Sequence, residues 1–137
     1  MSKRITNIAQ NYQQVGKLPL KVARDLNIKQ RNIYISDNNM LHIQKWHKKE
    51  LEQIGISAKD FVKVVVNIFN QVRKGSGTSL LLVVYNIELH YVAAIDLNYS
   101  LKNDFWEIKT AQPRRTKEIE KQTLLWSCLP LHYPPQK

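Results

Sequence analysis

The chain has 137 residues, 43% of them hydrophobic, and a formal net charge of +10 from 21 basic and 11 acidic side chains. That length and apolar share suit one domain with one packed core and exclude wholesale disorder. The lone Cys128 excludes an intramolecular disulfide and a thiolate zinc site. No apolar run approaches the roughly 20 residues that span a bilayer, and MSKRITNIAQNYQQVG has no apolar signal region. The expectation is a protein without membrane insertion that works in a cytoplasm, its own or that of a cell into which it is delivered.

Ile5, Ile8, Tyr12 and Val15 recur at helical spacing, with Gly16 as a stop. Pro19 can open a second short helix with Leu20, Ala23 and Leu26 inward. Ile33, Tyr34 and Ile35 form a short strand or an extended entry, and Ser36 and Asp37 are candidate caps for the helix after it. That helix is expected to run to about Gln53 and to stop at Gly55, whose missing Cβ suits a left-handed cap. Ser57, with Asp60 three residues on, starts another helix that turns Phe61, Val65 and Ile68 to one face. Its Val64-Val65-Val66 run makes strand a competitor.

From Phe69 to Lys74 the residues alternate, and Gly75-Ser76-Gly77 turns the chain. Ser79 to Tyr85 is a nearly continuous apolar run of strand length, as in a strand buried on both faces. In the next strand Leu89, Tyr91, Ala93, Ile95 and Leu97 face one way, and His90, Val92, Ala94 and Asp96 the other. Asn98 to Asp104 is polar turn chemistry. The last strand, Phe105 to Ala111, sets Trp106, Ile108 and Thr110 on one face and Glu107 and Lys109 on the other. After Pro113 and the pair Arg114-Arg115, a polar helical stretch leads toward Trp126, and the proline-rich end is irregular.

The expected fold is α+β, with N-terminal helices packed on one face of a roughly four-stranded antiparallel sheet. It is read as a single domain, 1–137, made of a helical N-terminal extension (1–30), a core (31–115), and a C-terminal helix with an irregular tail (116–137).

The helix after Ser36 carries the side chains best suited to chemistry near neutral pH. At about 100° per residue, Met40, Ile43, His47 and Ile54 share a narrow stripe, while His42, Lys45 and Lys49 form a polar one with Trp46 beside it. His47 is then either a satisfied core histidine or an acid/base group turned to the sheet. His42 is either part of a solvated face or a substrate contact. Histidine can give and take protons at neutral pH.

The positions of the two histidines, five apart, do not suit a helical metal pair, and phosphate-binding loops and a nucleophile elbow are missing from the sequence. The reading is therefore chemistry with no cofactor and no metal. The basic excess asks for an anionic partner, nucleic acid first and an anionic membrane surface second. Arg73, Arg114 and Arg115 can clamp phosphate through their guanidinium forks, Thr110 can donate to a phosphate, and Trp46 can stack on a base. RNA suits metal-free acid/base chemistry because its 2′-hydroxyl is an internal nucleophile.

The order of these pieces, IYIS, then LHIQKWH on a helix, then a meander ending in IKT, resembles the phage-associated branch of the barnase–EndoU–colicin–RelE (BECR) superfamily of metal-independent ribonucleases. The resemblance covers about Ile33 to Arg115. It implies a nuclease-like core with His42, Lys45, His47 and Thr110 as catalytic positions. It further implies an endoribonuclease, acting on RNA and often on tRNA, of toxin or effector type, held in check by an immunity protein or antitoxin. Such a partner is expected to be acidic. The alternative is a non-catalytic basic module or regulator that binds nucleic acid.

Overall fold

The computed structural model describes residues 11–87, 89–97 and 104–128. The expected helix around Ile5 and Ile8, the turn at 98–103 and the tail from 129 lie outside them. The described chain is a mixed α+β fold. Its strands are β1 (Tyr12–Lys17), β2 (Asn32–Ser36), β3 (Gln71–Lys74), β4 (Ser79–Val84), β5 (Leu89–Asp96), β6 (Trp106–Arg115) and β7 (Leu124–Ser127). Its helices are α1 (Leu20–Leu26), α2 (Asp37–Trp46), α3 (Lys48–Ile54), α4 (Ala58–Ile68) and α5 (Thr116–Ile119).

The strands form one sheet of seven, in the order β1-β2-β6-β5-β4-β3-β7. The expected four-stranded meander is its centre, and three strands are additions to it. Tyr12–Lys17 is strand rather than helix. Its helix-like spacing is overridden because it pairs with β2 and buries Val15 against α4, where Asn67 Nδ2 donates to the Val15 carbonyl at 3.1 Å. The expected C-terminal helix is one turn, α5, and the chain then forms β7 by pairing with β3. The sheet is mixed, because β2 runs parallel to β6.

The helix caps agree with the sequence. Ser36 Oγ accepts from the Asn39 amide and Ser57 Oγ from the Asp60 amide, each at 3.1 Å. Gly55 ends α3 at a φ of 71°. The long helix expected to reach Gln53 breaks at His47, whose backbone leaves helical geometry between α2 and α3. The valine run in α4 stays helical because Phe61, Val62, Val65 and Val66 all face the core.

The sheet has two faces of different character. On one, Ile33, Ile35, Val72, Leu82, Ala93, Ile95 and Ile108 meet Met40, Ile43, Leu51 and the α4 side chains. On the other, Leu81, Val83, Tyr85 and Val92 form a small cluster closed by Ile119 of α5. This second face, the open face, is otherwise free of helices among the described residues.

Two features of β6 depart from simple alternation. Ala94 pairs with Thr110 but Ile95 with Ile108, so Lys109 is an extra residue and the strand bulges there. The bulge turns Thr110 away from Trp106 and Ile108 and onto the open face beside Ala94. Pro113 and the two arginines are part of β6, not of a loop. Proline is tolerated because β2 pairs only with Trp106–Ile108, leaving that side of the strand without a ladder to feed.

Gly16 marks a close approach of β1 to α4, since a Cβ there would overlap Val66 Cγ1. Gly16→Val is expected to destabilise the protein by about 1–3 kcal/mol through overpacking, read as a lower urea midpoint. An unchanged midpoint would mean that β1 does not sit on α4 as described.

Candidate active site

β2 ends at Ser36 and the chain turns directly into α2, while β6 continues past it. The gap left beside β6 is a cleft of about 610 Å³ lined by polar residues, among them Tyr12, Ser36, Asn38, Asn39, Glu107 and Lys109. Glu107 forms its buried wall, only 3% exposed. It lies between Trp106 and Ile108, which face the core, so its side chain points to the open face beside Tyr34, its partner on β2.

Asn39 fixes the carboxyl from the first turn of α2. Its Nδ2 donates to Glu107 Oε2 at 3.2 Å and to the Ile108 carbonyl at 3.0 Å. Burial pushes the Glu107 pKa above the ordinary carboxylate value, outweighing Lys109 and a hydrogen bond with Tyr12, which favour the charged form; Asp96 pushes the same way as burial. A carboxyl poised to exchange a proton closer to neutrality, with a cation two residues away and room beside it, has the components of acid/base chemistry.

A second polar group lies on the same face but inside the protein. Arg73, 8% exposed, donates from Nε to Gln71 Oε1 at 3.0 Å and from Nη1 to the carbonyls of Ile119 at 3.2 Å and Gln122 at 2.9 Å. His90 is fully buried and stacks on Tyr85 with ring centroids 4.2 Å apart. The Asn86 amide donates to His90 Nδ1 at 2.9 Å, so Nε2 carries the proton and donates to Thr116 Oγ1 at 2.8 Å.

Burial and the neighbouring Arg73 lower the His90 pKa, with Glu120 opposing. The folded state thus favours neutral His90, and its stabilisation is complete above the ordinary value of 6.5. It is lost as pH falls from there through the lower folded pKa, because the unfolded chain takes up the proton first. This contribution to the urea midpoint is expected to fall between pH 7.5 and 5, and a His90→Gln variant to lack it, so that its slope differs from the parent's by that part. Equal slopes in parent and variant would refute the assignment.

The residues singled out from the sequence fall into five places. Thr110 and Arg114 are half-buried on the open face, Arg114 opposite His90 and Thr110 opposite Ala94. Arg115 is exposed, and its amide donates to Glu118 Oε1 at 2.9 Å to start α5. Arg73 is an internal anchor for α5 and the turn after it. His42, Lys45 and Trp46 are exposed on α2, on the helical side of the sheet. His47 sits at the α2–α3 break with Nδ1 2.8 Å from Glu50 Oε1.

The structure therefore does not gather His47 and Thr110, because the sheet lies between them. It gathers Glu107, Lys109, Tyr12 and Asn39 instead. Glu107 and Lys109 had a visible sign, an acid and a base alternating with Trp106 and Ile108 on one face of the last expected strand. Asn39 had none, since its role depends on where β2 stops. Among the described residues no three of His, Cys, Asp and Glu come together as a metal-binding group, and no helix is long and apolar enough to cross a membrane. Comparison of the chain with protein-family models, with characterised proteins and with solved structures finds no match.

Proposed function

We propose that the protein is a metal-independent endoribonuclease whose general base is Glu107. The observation that carries this is a buried carboxyl with a raised pKa, oriented by Asn39 and opening into a polar cleft beside Lys109. In this reading the Glu107 carboxylate takes the proton of a 2′-hydroxyl, and the 2′-oxygen attacks the adjacent phosphorus. The bond to the 5′-oxygen breaks, and the Lys109 ammonium, after neutralising the phosphorane charge, donates a proton to the departing oxygen. The products are a 2′,3′-cyclic phosphate and a 5′-hydroxyl end.

Thr110 and Arg114, on the same face of β6, extend the site along the flanking phosphates. The net charge of +10 supplies the electrostatic part of RNA affinity. The resemblance of Ile33 to Arg115 to the BECR nucleases supports the same activity, and with it a toxin or effector role in a cytoplasm and an acidic immunity protein or antitoxin as inhibitor.

The test is incubation of the purified protein with single-stranded RNA in EDTA, followed by analysis of the product ends. Cyclic phosphate termini are expected. RNA that is shifted in a gel but left intact would overturn the reading and leave a binding module in its place.

A further inference from the structure

Helix α2 starts at the Glu107 cleft, which Asn38 helps to line, and ends at Trp46. At about 100° per residue, Asn38, Leu41, His42, Lys45 and Trp46 fall within an arc of about 140°. All five are exposed, and they turn away from Met40 and Ile43, which enter the core. Trp46 is 65% exposed and Leu41 61%. The Lys45 ammonium lies 5.8 Å from the Trp46 ring centroid, and the His42 ring lies 5.9 Å from it on centroids. A large indole left in water beside an ammonium group, on a stripe that begins at the cleft, is not explained by packing.

We propose that this face of α2 is a binding site for single-stranded RNA leaving the Glu107 cleft, with one base stacked on Trp46 and the backbone held by Lys45. The direction of the strand rests on the reading of the cleft as the cleavage site. The distance from Asn38 to Trp46 is about 12 Å along the helix, so a short run of nucleotides reaches from one to the other. An interleaved ring and cation match the alternation of base and phosphate in a single strand. An acidic protein surface would find too few cations on the stripe to hold it, and would leave the ring without a role.

The test uses Glu107→Gln as a non-cleaving background and measures affinity by fluorescence anisotropy. The gain in affinity when the RNA is lengthened from a tetramer to a dodecamer is the quantity of interest. Adding Trp46→Ala is expected to reduce that gain about tenfold, and Trp46→Phe to restore most of it. Adding Lys45→Ala is expected to lower the slope of log affinity against log salt by about 0.7. An unchanged gain in both variants, or no gain on lengthening at all, overturns the proposal. So does displacement of the dodecamer by polyglutamate at equal charge, which would make an acidic polypeptide the occupant. Should Glu107→Gln still cleave, the catalytic reading fails, and the length dependence is then measured with 2′-deoxy RNA and decides the α2 site by itself.

Discussion

Glu107→Gln is expected to lower RNA cleavage by roughly 10²–10⁴-fold, the usual contribution of a positioned general base. Glutamine keeps the shape and can still accept from Asn39 Nδ2, so the loss falls on proton transfer. The parent rate is expected to rise with pH through the Glu107 pKa, which lies above the ordinary 4.5, and the variant to lack that rise. Stability should move the other way. A carboxyl with a raised folded pKa favours the protonated fold, so the Glu107 contribution to stability is lost as pH climbs from the ordinary value through the folded one. The variant has no proton to lose and is expected to be at least as stable at pH 8. Urea melts at pH 4 and 8 beside the cleavage assay separate the cases. A variant that cuts normally removes Glu107 from the chemistry, and one that merely unfolds makes it structural.

Arg73→Met is expected to cost about 2–4 kcal/mol of stability, because hydrogen bonds from a charged donor to the Ile119 and Gln122 carbonyls are lost and both acceptors are left behind. The effect should concentrate at the C-terminal segment, since Arg73 ties α5 and the following turn to β3. Limited trypsin digestion is expected to cut faster at the exposed Lys117 and Lys121 in the variant. The same substitution decides between two readings of this arginine. As a phosphate clamp, its loss would weaken RNA binding and leave the fold intact. As the anchor the hydrogen bonds describe, its loss lowers the urea midpoint first, and activity follows only as far as the fold does.

The placement of Arg73 shows why residue type alone misleads. In sequence it is a basic residue beside a Gly-Ser-Gly turn, where phosphate contacts are often found. In the fold its neighbours on the open face are Gln71 and Tyr85, and a segment more than forty residues later in the chain closes over it. Thr110 shows a different failure. Strict alternation put it with Trp106 and Ile108, and a single extra residue, Lys109, reversed it. A bulge has no reliable local signature, because it is set by how two strands must match in length and twist.

The features the sequence determined are those whose energetics are local. The serine caps of α2 and α4, the left-handed stop at Gly55, the turn at Gly75-Ser76-Gly77, the buried strand Ser79–Val84 and the facing of β5 all follow from neighbouring residues, and all are present. Tertiary structure decided the rest. It made Tyr12–Lys17 a strand by offering the free edge of β2, and added β7 at the far edge through β3. It split the histidine-bearing helix at His47. Above all it left β2 shorter than β6, and so opened the gap in which Asn39 holds Glu107. That gap depends on pairing between Ile33–Ile35 and Trp106–Ile108, over seventy residues apart. No local pattern encodes where such a pairing ends.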